Sequence, residues 1–418
     1  MYKNKVTLLV LSLVILTQFA ISQNNTNSPY TRFGYGDVSD ASSGEQRAMG
    51  GVGLGERSSY TINSTNPASY SSVDSTSFMF NIGSSALWSR FSNPTGQKNT
   101  FNANLEYLTM RFPLSKWLGF SAGMLPYSFT GYDFSSTDTL YTNPDNANNV
   151  DTVTTTQNFS GTGGFSQVYA GLSAKMFNHL SIGVNAYYMF GSINNYRNVS
   201  FSETTGFTAT TQLNVIKAND FRFRYGLQLY NTFAKKHDVT LGLIYEQKKR
   251  LQGNFSQITS GVLTDTVDYD KDFELPSTYG IGLYYTYDKK LSVGLDYSMQ
   301  QWKDAKYFGK TDSLNNRSKI ALGVEYIPNP RGRSYLKRIR YRGGLNTSDS
   351  YYKVNGVVQP KNYGISFGVG LPLKNSNTLL NASFEYGKIG TNSLLREDYL
   401  KFTFNACINE GWFFKRKL

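Results

Sequence analysis

The sequence predicts an all-β chain, an antiparallel transmembrane β-barrel of fourteen strands. Three observations lead there. Aromatic residues reach 15%, with 31 Tyr and 28 Phe, yet the mean hydropathy is −0.39. Beyond the amino terminus no run approaches the ~18 apolar residues of a spanning helix. From Thr76 onward, short stretches of alternating polar and apolar residues are separated by connections that alternate short and long. Strands wetted on one face and lipid-covered on the other require that combination.

The amino terminus sets the compartment. Lys3 and Lys5 precede the apolar stretch Val6–Ala20, and Ala20-Ile21-Ser22 offers small residues for cleavage. Residues 1–22 therefore read as a secretory signal peptide, with the mature chain beginning near Gln23. No cysteine stands directly after the cleavage site, which argues against a lipid anchor. The formal charge is +13 and falls to +11 without Lys3 and Lys5. Such a basic exported chain suits anionic lipid or an acidic ligand, and nucleic acid is excluded as a partner. Cys407 is the single cysteine, so no internal disulfide holds the chain together.

Residues 23–75 are rich in Gly and Ser and alternate little, which fits either a disordered tail or a plug folded into the lumen. "GGVGLG", Gly50–Gly55, has no βαβ context and reads as turn chemistry, not as a phosphate loop.

The barrel occupies residues 76–418. Its first seven strands are placed at Thr76–Arg90, Thr100–Phe112, Trp117–Thr130, Gly164–Met176, Leu180–Gly191, Phe221–Phe233 and Val239–Leu251. Seven more follow at Thr278–Tyr287, Leu291–Gln300, Ser318–Ile327, Leu336–Leu345, Tyr363–Leu373, Leu379–Lys388 and Tyr399–Ile408. Alternation is clean where Leu291, Val293, Leu295, Tyr297 and Met299 oppose Ser292, Gly294, Asp296, Ser298 and Gln300. Connections such as "FNH", "AKKHD" and "DKK" are short, whereas Gly131–Gly163, Ser192–Asp220 and Gln252–Ser277 are long. Short periplasmic turns alternating with long external loops place the chain in the bacterial outer membrane.

Register follows from charge. In "NDFRFRYGLQLYNTF" (Asn219–Phe233), Phe221, Phe223, Leu227 and Leu229 are expected to face lipid. Arg222, Arg224 and Gln228 then face the lumen, because an arginine on the lipid face costs roughly 2–4 kcal/mol near the midplane. Arg338, Arg340 and Arg342 alternate on one strand, while Asp296, Glu325 and Glu385 take inward positions on others. Two readings stand side by side: ion pairing across the interior, or arginines that hold a ligand carboxylate.

No catalytic constellation emerges. His179 and His237 lie in short turns, away from any nucleophile that an external substrate would meet, so an enzyme is not expected. Asp268, Asp270 and Asp272 have the first spacings of a calcium loop, but Phe273 and Tyr279 replace its glycine and distal glutamate. Neither a metal nor a cofactor is implied.

The order of motifs resembles the FadL-type outer-membrane transporters of long-chain fatty acids and other hydrophobic compounds. "RAMGGVGLGERSSYTINSTNPASY" (Arg47–Tyr70) is similar to the hatch of that family, with Arg47 at its head and Asn66-Pro67-Ala68 as its Asn-Pro-Ala motif. Glu274–Phe308 and "RYRGGL" (Arg340–Leu345) are similar to the family's middle and later strands. The resemblance implies a fourteen-stranded barrel with residues 23–75 as a lumenal hatch. It also implies lateral passage of hydrophobic small molecules through a gap at the third strand. Pro126 lacks an N–H, so a break around Gly123, Leu125, Pro126 and Tyr127 is expected on physical grounds as well, the other reading being a proline at a bulge without function. The loop Gly131–Gly163 is polar, unlike the apolar helices with which that family collects fatty acids. The carboxyl terminus "WFFKRKL" also departs from the family's usual aromatic last residue, leaving Trp412 or Phe414 as the assembly signal. The expected partners are outer-membrane lipid and a hydrophobic small molecule. The rival reading is a non-transporting accessory or docking subunit bound to another outer-membrane protein.

Overall fold

Fourteen strands close on themselves. The computed structural model describes residues 26–74, 76–141, 152–202, 208–269, 272–354, 356–373, 377–391 and 395–411. Residues 1–22, expected to be a signal peptide, and the terminal Trp412 and Phe414 lie outside these residues. Strands β1 to β7 run Ser77–Asn93, Gly96–Pro113, Leu118–Tyr141, Thr152–Met176, Leu180–Phe201, Thr210–Phe233 and His237–Glu246. Strands β8 to β14 run Thr278–Tyr287, Leu291–Gln300, Arg317–Tyr326, Arg340–Ser348, Asn362–Pro372, Leu379–Thr391 and Leu395–Gly411. Each pairs antiparallel with its neighbours, and β14 returns to β1 from Ser77↔Gly411 to Ser92↔Arg396. Closure removes the free edges that hydrocarbon would leave unsatisfied.

The short turns have a clear local cause. Phe177-Asn178, Ala234-Lys235 and Asp288-Lys289 all adopt positive φ at both residues, between 47° and 60°. Two successive left-handed residues match the twist of a tight hairpin.

Several boundaries differ from the sequence-based placement. The third and fourth strands run on as a long hairpin to Tyr141↔Thr152, so most of the polar segment Gly131–Gly163 is strand. Threonine-rich runs pair well in a ladder, and Tyr132, Phe134 and Phe159 pack on one another along this hairpin. The seventh strand ends at Glu246, and Lys249–Arg250 pair instead with Glu274–Leu275. The eleventh begins at Arg340, because Leu336–Arg338 forms a 3-10 turn. Arg338 therefore does not alternate with Arg340 and Arg342, and its guanidinium lies 5.5 Å from the Tyr335 ring centre.

The outer face carries the apolar half of each strand. Phe221, Phe223 and Leu229 are exposed, while Leu227 is half-buried. Inside, Asp296 and Ser292 are buried. The core is thus not an oil drop between two layers, and most of it is made with the amino-terminal segment. At one end, Tyr30, Tyr35, Phe165, Phe273, Trp302 and Tyr351 form an aromatic cluster. Tyr35 donates to the Glu274 carbonyl at 3.0 Å, and Trp302 packs 4.7 Å from the Tyr351 ring.

Candidate functional site

The amino-terminal segment lies against the inward face of the wall along much of its length. Ser43 and Gln46 form a capping box on the short helix Gly44–Arg47. Asn66 caps the 3-10 turn Pro67–Ser72, its side chain accepting from the Ala68 N–H at 3.1 Å. The Asn66 amide donates to the Leu54 carbonyl at 2.8 Å and reaches the carbonyls of Leu227 and Leu243 at 3.3 and 3.4 Å. Pro67 and Ala68 are buried beside it. The wall makes room with glycines. A Cβ at Gly183 would meet the Pro67 carbonyl carbon at 2.5 Å, and one at Gly323 the Met49 oxygen at 2.5 Å. Gly242 and Gly344 would overlap the backbone of Leu54 and of Met49-Gly50. "GGVGLG" is thus part of a chain laid directly on the barrel wall.

Charged side chains complete the attachment. Asp296 accepts from the Gly53 and Leu54 N–H groups at 2.7 and 2.8 Å. Arg222 and Arg224 both pair with Glu246, and Arg224 also donates to the Thr65 carbonyl at 3.2 Å. Arg222 lies 4.9 Å from the centre of the Tyr127 ring. Glu325 holds Arg340 at 3.2 Å and Arg342 at 2.7 Å, and Arg342 donates to Asn381 at 2.7 Å. Glu385 accepts from Tyr399 at 3.0 Å. Arg47 pairs with Glu106 at 2.7 Å, a carboxylate shared with Lys401 at 2.7 Å. The inward arginines of the strands are therefore engaged with protein groups.

Within the segment, burial and then the neighbouring Glu45 charge push the Glu56 carboxyl up to about 7. Burial works against Asp40 too, but Lys319 and Arg317 prevail and hold it below the usual carboxylate range.

Two neighbouring strands pair over only part of their length. Pairing between β2 and β3 covers only Leu108↔Met124 to Pro113↔Gly119. Beyond Met124, β3 keeps β4 as its partner through Pro126↔Ser166, then bulges at Tyr127 before resuming at Ser128↔Phe165. Pro126 has no N–H to offer a ladder. On its other edge β3 meets the amino-terminal segment: Asp37↔Phe129, Val38↔Ser128, and the Ser39 N–H donating to the Tyr127 carbonyl at 2.9 Å. Gly123 lies just inside the last pair and Leu125 just beyond it, buried in a cluster that includes the segment's Tyr70.

Sequence alternation missed Glu106, and the reason is local. A bulge between Gly83↔Tyr107 and Ser84↔Leu105 turns both Glu106 and Tyr107 inward. Glu246 was open to discovery, since it continues the inward series Thr240, Gly242, Ile244. His179 meets the Tyr230 carbonyl at 3.2 Å, and His237 the Tyr285 hydroxyl at 2.7 Å and the Tyr287 ring at 5.1 Å. Asp270 lies outside the described residues, and no cluster of metal-ligating side chains occurs among those described.

The family described as BamG matches residues 1–418. The chain belongs to the BamG family. No curated protein matches this BamG-family chain by sequence. Solved structures resemble it in fold. A Pseudomonas putida toluene transporter, TodX, is 15% identical over 90% of this chain and 100% of its own, with a TM-score of 0.59. A Pseudomonas aeruginosa FadL homologue is 12% identical over 90% and 99%, with a TM-score of 0.58. The Ralstonia pickettii toluene transporter TbuX is 13% identical over 88% and 97%, at 0.58. The BamG-family chain thus has the fold of FadL-type β-barrels.

Proposed function

We propose that this barrel binds hydrophobic small molecules and exchanges them with the bilayer through the wall between β2 and β3, residues 26–74 acting as its hatch. One observation carries the reading: the ladder stops at Leu108↔Met124 although both strands continue well beyond it. Unpaired backbone in hydrocarbon is expensive, so such an interruption persists where protein covers it or a ligand passes. Here a short piece of the hatch, Asp37–Val38, covers part of the β3 edge. The aromatic cluster of Tyr35, Trp302 and Tyr351 lies over the lumen's long-loop end, which favours sideways movement over passage along the axis. The shared fold of the toluene transporters supports the same reading. Replacing Pro126 by valine supplies a donor where the ladder ends. Uptake of a hydrophobic probe should then slow without loss of the barrel, and unchanged uptake would count against the gap.

A second reading is a non-transporting accessory barrel within an outer-membrane complex. The observation in its favour is a concave apolar outer face lined by Leu172, Ile182, Tyr225, Leu243, Tyr279 and Ile281. The hatch, pinned to the wall by Asp296 and by glycines, also suits a rigid scaffold. Stoichiometric co-purification with another outer-membrane protein, together with no retained hydrophobic ligand, would favour this reading.

A further inference from the structure

A cavity of about 220 Å³ lies beside the gap, and its lining does not suit a hydrocarbon. Asn104 on β2 and Phe129 on β3 belong to it, both beyond the last pair of the β2–β3 ladder. Deeper in, two pairs of cations each share one carboxylate. Arg47 and Lys401 hold Glu106, both at 2.7 Å, while Arg317 and Lys319 hold Asp40 at 3.4 and 2.5 Å. Each trio carries one positive charge beyond neutrality. Asp37 faces the same cavity, is exposed, and forms no ion pair among the described residues. Glu385, whose partner is the neutral Tyr399 hydroxyl, and Glu397, which accepts from the Ser28 and Ser89 hydroxyls, add two more carboxylates outside an ion pair.

An apolar molecule here would displace water from charged groups and return no hydrogen bonds. The volume is also below the roughly 300–1,000 Å³ of sites that bury a whole drug-sized ligand. A polar head fits, and its apolar remainder would lie outside the wall. There Phe101 and Leu105 on β2 are each 66% exposed.

The geometry points to a membrane lipid with a phosphoethanolamine-type zwitterionic head. Its phosphate is set toward the two cation pairs, its ammonium toward Asp37 and Glu385, and its acyl chains leave between β2 and β3. A primary ammonium can donate to both carboxylates, whereas a quaternary one has no N–H to give. This assignment rests on the wall gap proposed above and narrows its ligand to an amphipathic one.

The test uses the full-length protein in nanodiscs of equal phosphatidylethanolamine and phosphatidylcholine, with retained lipid counted by native mass spectrometry. Binding of the apolar fluorophore N-phenyl-1-naphthylamine is followed in parallel. Phosphatidylethanolamine should be retained at least tenfold over phosphatidylcholine. Asp37→Asn should abolish that preference while fluorophore binding stays unchanged. Glu385→Gln gives the same readout should the first variant fail to assemble. Free phosphoethanolamine at equal concentration should not displace the lipid, and complete displacement would overturn the role of the chains. Equal retention of the two lipids, or a preference surviving both substitutions, overturns the head-group assignment alone if the fluorophore still binds. Absence of both lipid and fluorophore overturns the gap reading and this assignment together.

Discussion

Replacing Asp296 by alanine should release the amino-terminal segment without opening the barrel. The Oδ2 atom of Asp296 accepts two backbone N–H groups of that segment, at 2.7 and 2.8 Å. Alanine leaves both donors without an acceptor, and each unmade buried bond costs about 1–3 kcal/mol. The substitution also relieves a carboxylate that is only 6% exposed, which offsets part of the loss. A net cost of about 2–4 kcal/mol follows, falling on the segment because the ladders of β9 to β8 and β10 use backbone alone. Converted at 1.4 kcal/mol per tenfold, this raises the population of the released segment roughly 30- to 700-fold. Limited proteolysis of the reconstituted protein reads that population when opening is fast relative to cleavage. Asp296→Asn keeps an acceptor oxygen and should fall between wild type and alanine. Cleavage of the alanine variant within threefold of wild type would refute the reasoning, as would loss of the heat-modifiable gel mobility of the folded barrel.

Glu56 gives a pH dependence. Its carboxyl is raised to about 7 in the folded chain, so the stability that its neutral form contributes is fully present below about 4.5 and is lost as pH rises through about 7. Protease protection of the segment should fall between pH 5 and pH 8, and Glu56→Gln should flatten that slope. Phe223→Arg places a charge on the lipid face and should destabilise the barrel by roughly 2–4 kcal/mol if the site lies near the midplane. Equilibrium unfolding in lipid vesicles measures this, and a neutral effect would mean that the face does not meet hydrocarbon.

The membrane strands were legible because lipid imposes a strict period of two on the residues that meet it. Phe221, Phe223 and Leu229 could not share a face with Arg222 and Arg224. That constraint lapses outside the bilayer, so the threonine-rich extensions of β3 and β4 read as loop. It lapses at bulges too, which hid Glu106 and left Tyr127 as the extra residue beside Ser128. Pro126 marked the irregular stretch of β3, where the ladder with β4 bulges at Tyr127, because a missing donor is visible in one letter. The cation pairs around Asp40 and Glu106 were not legible, since they join strands hundreds of residues apart to a segment with no regular period. Arg338 misled for the opposite reason: its spacing fits a strand, but the chain there makes a turn.

The most direct test of the account closes the wall. Were the ladder to continue past Leu108↔Met124, Asn104 would face Ser128, whose edge Val38 occupies; cysteines introduced as Asn104→Cys and Ser128→Cys, with the buried Cys407 left in place, are therefore joined when Val38 leaves that edge and the two strands meet. Binding of a hydrophobic fluorophore by the reconstituted barrel is then measured before oxidation, after it, and after reduction. The account predicts at least a tenfold loss on oxidation and recovery with reductant. Equal binding in the cross-linked and reduced forms would contradict it.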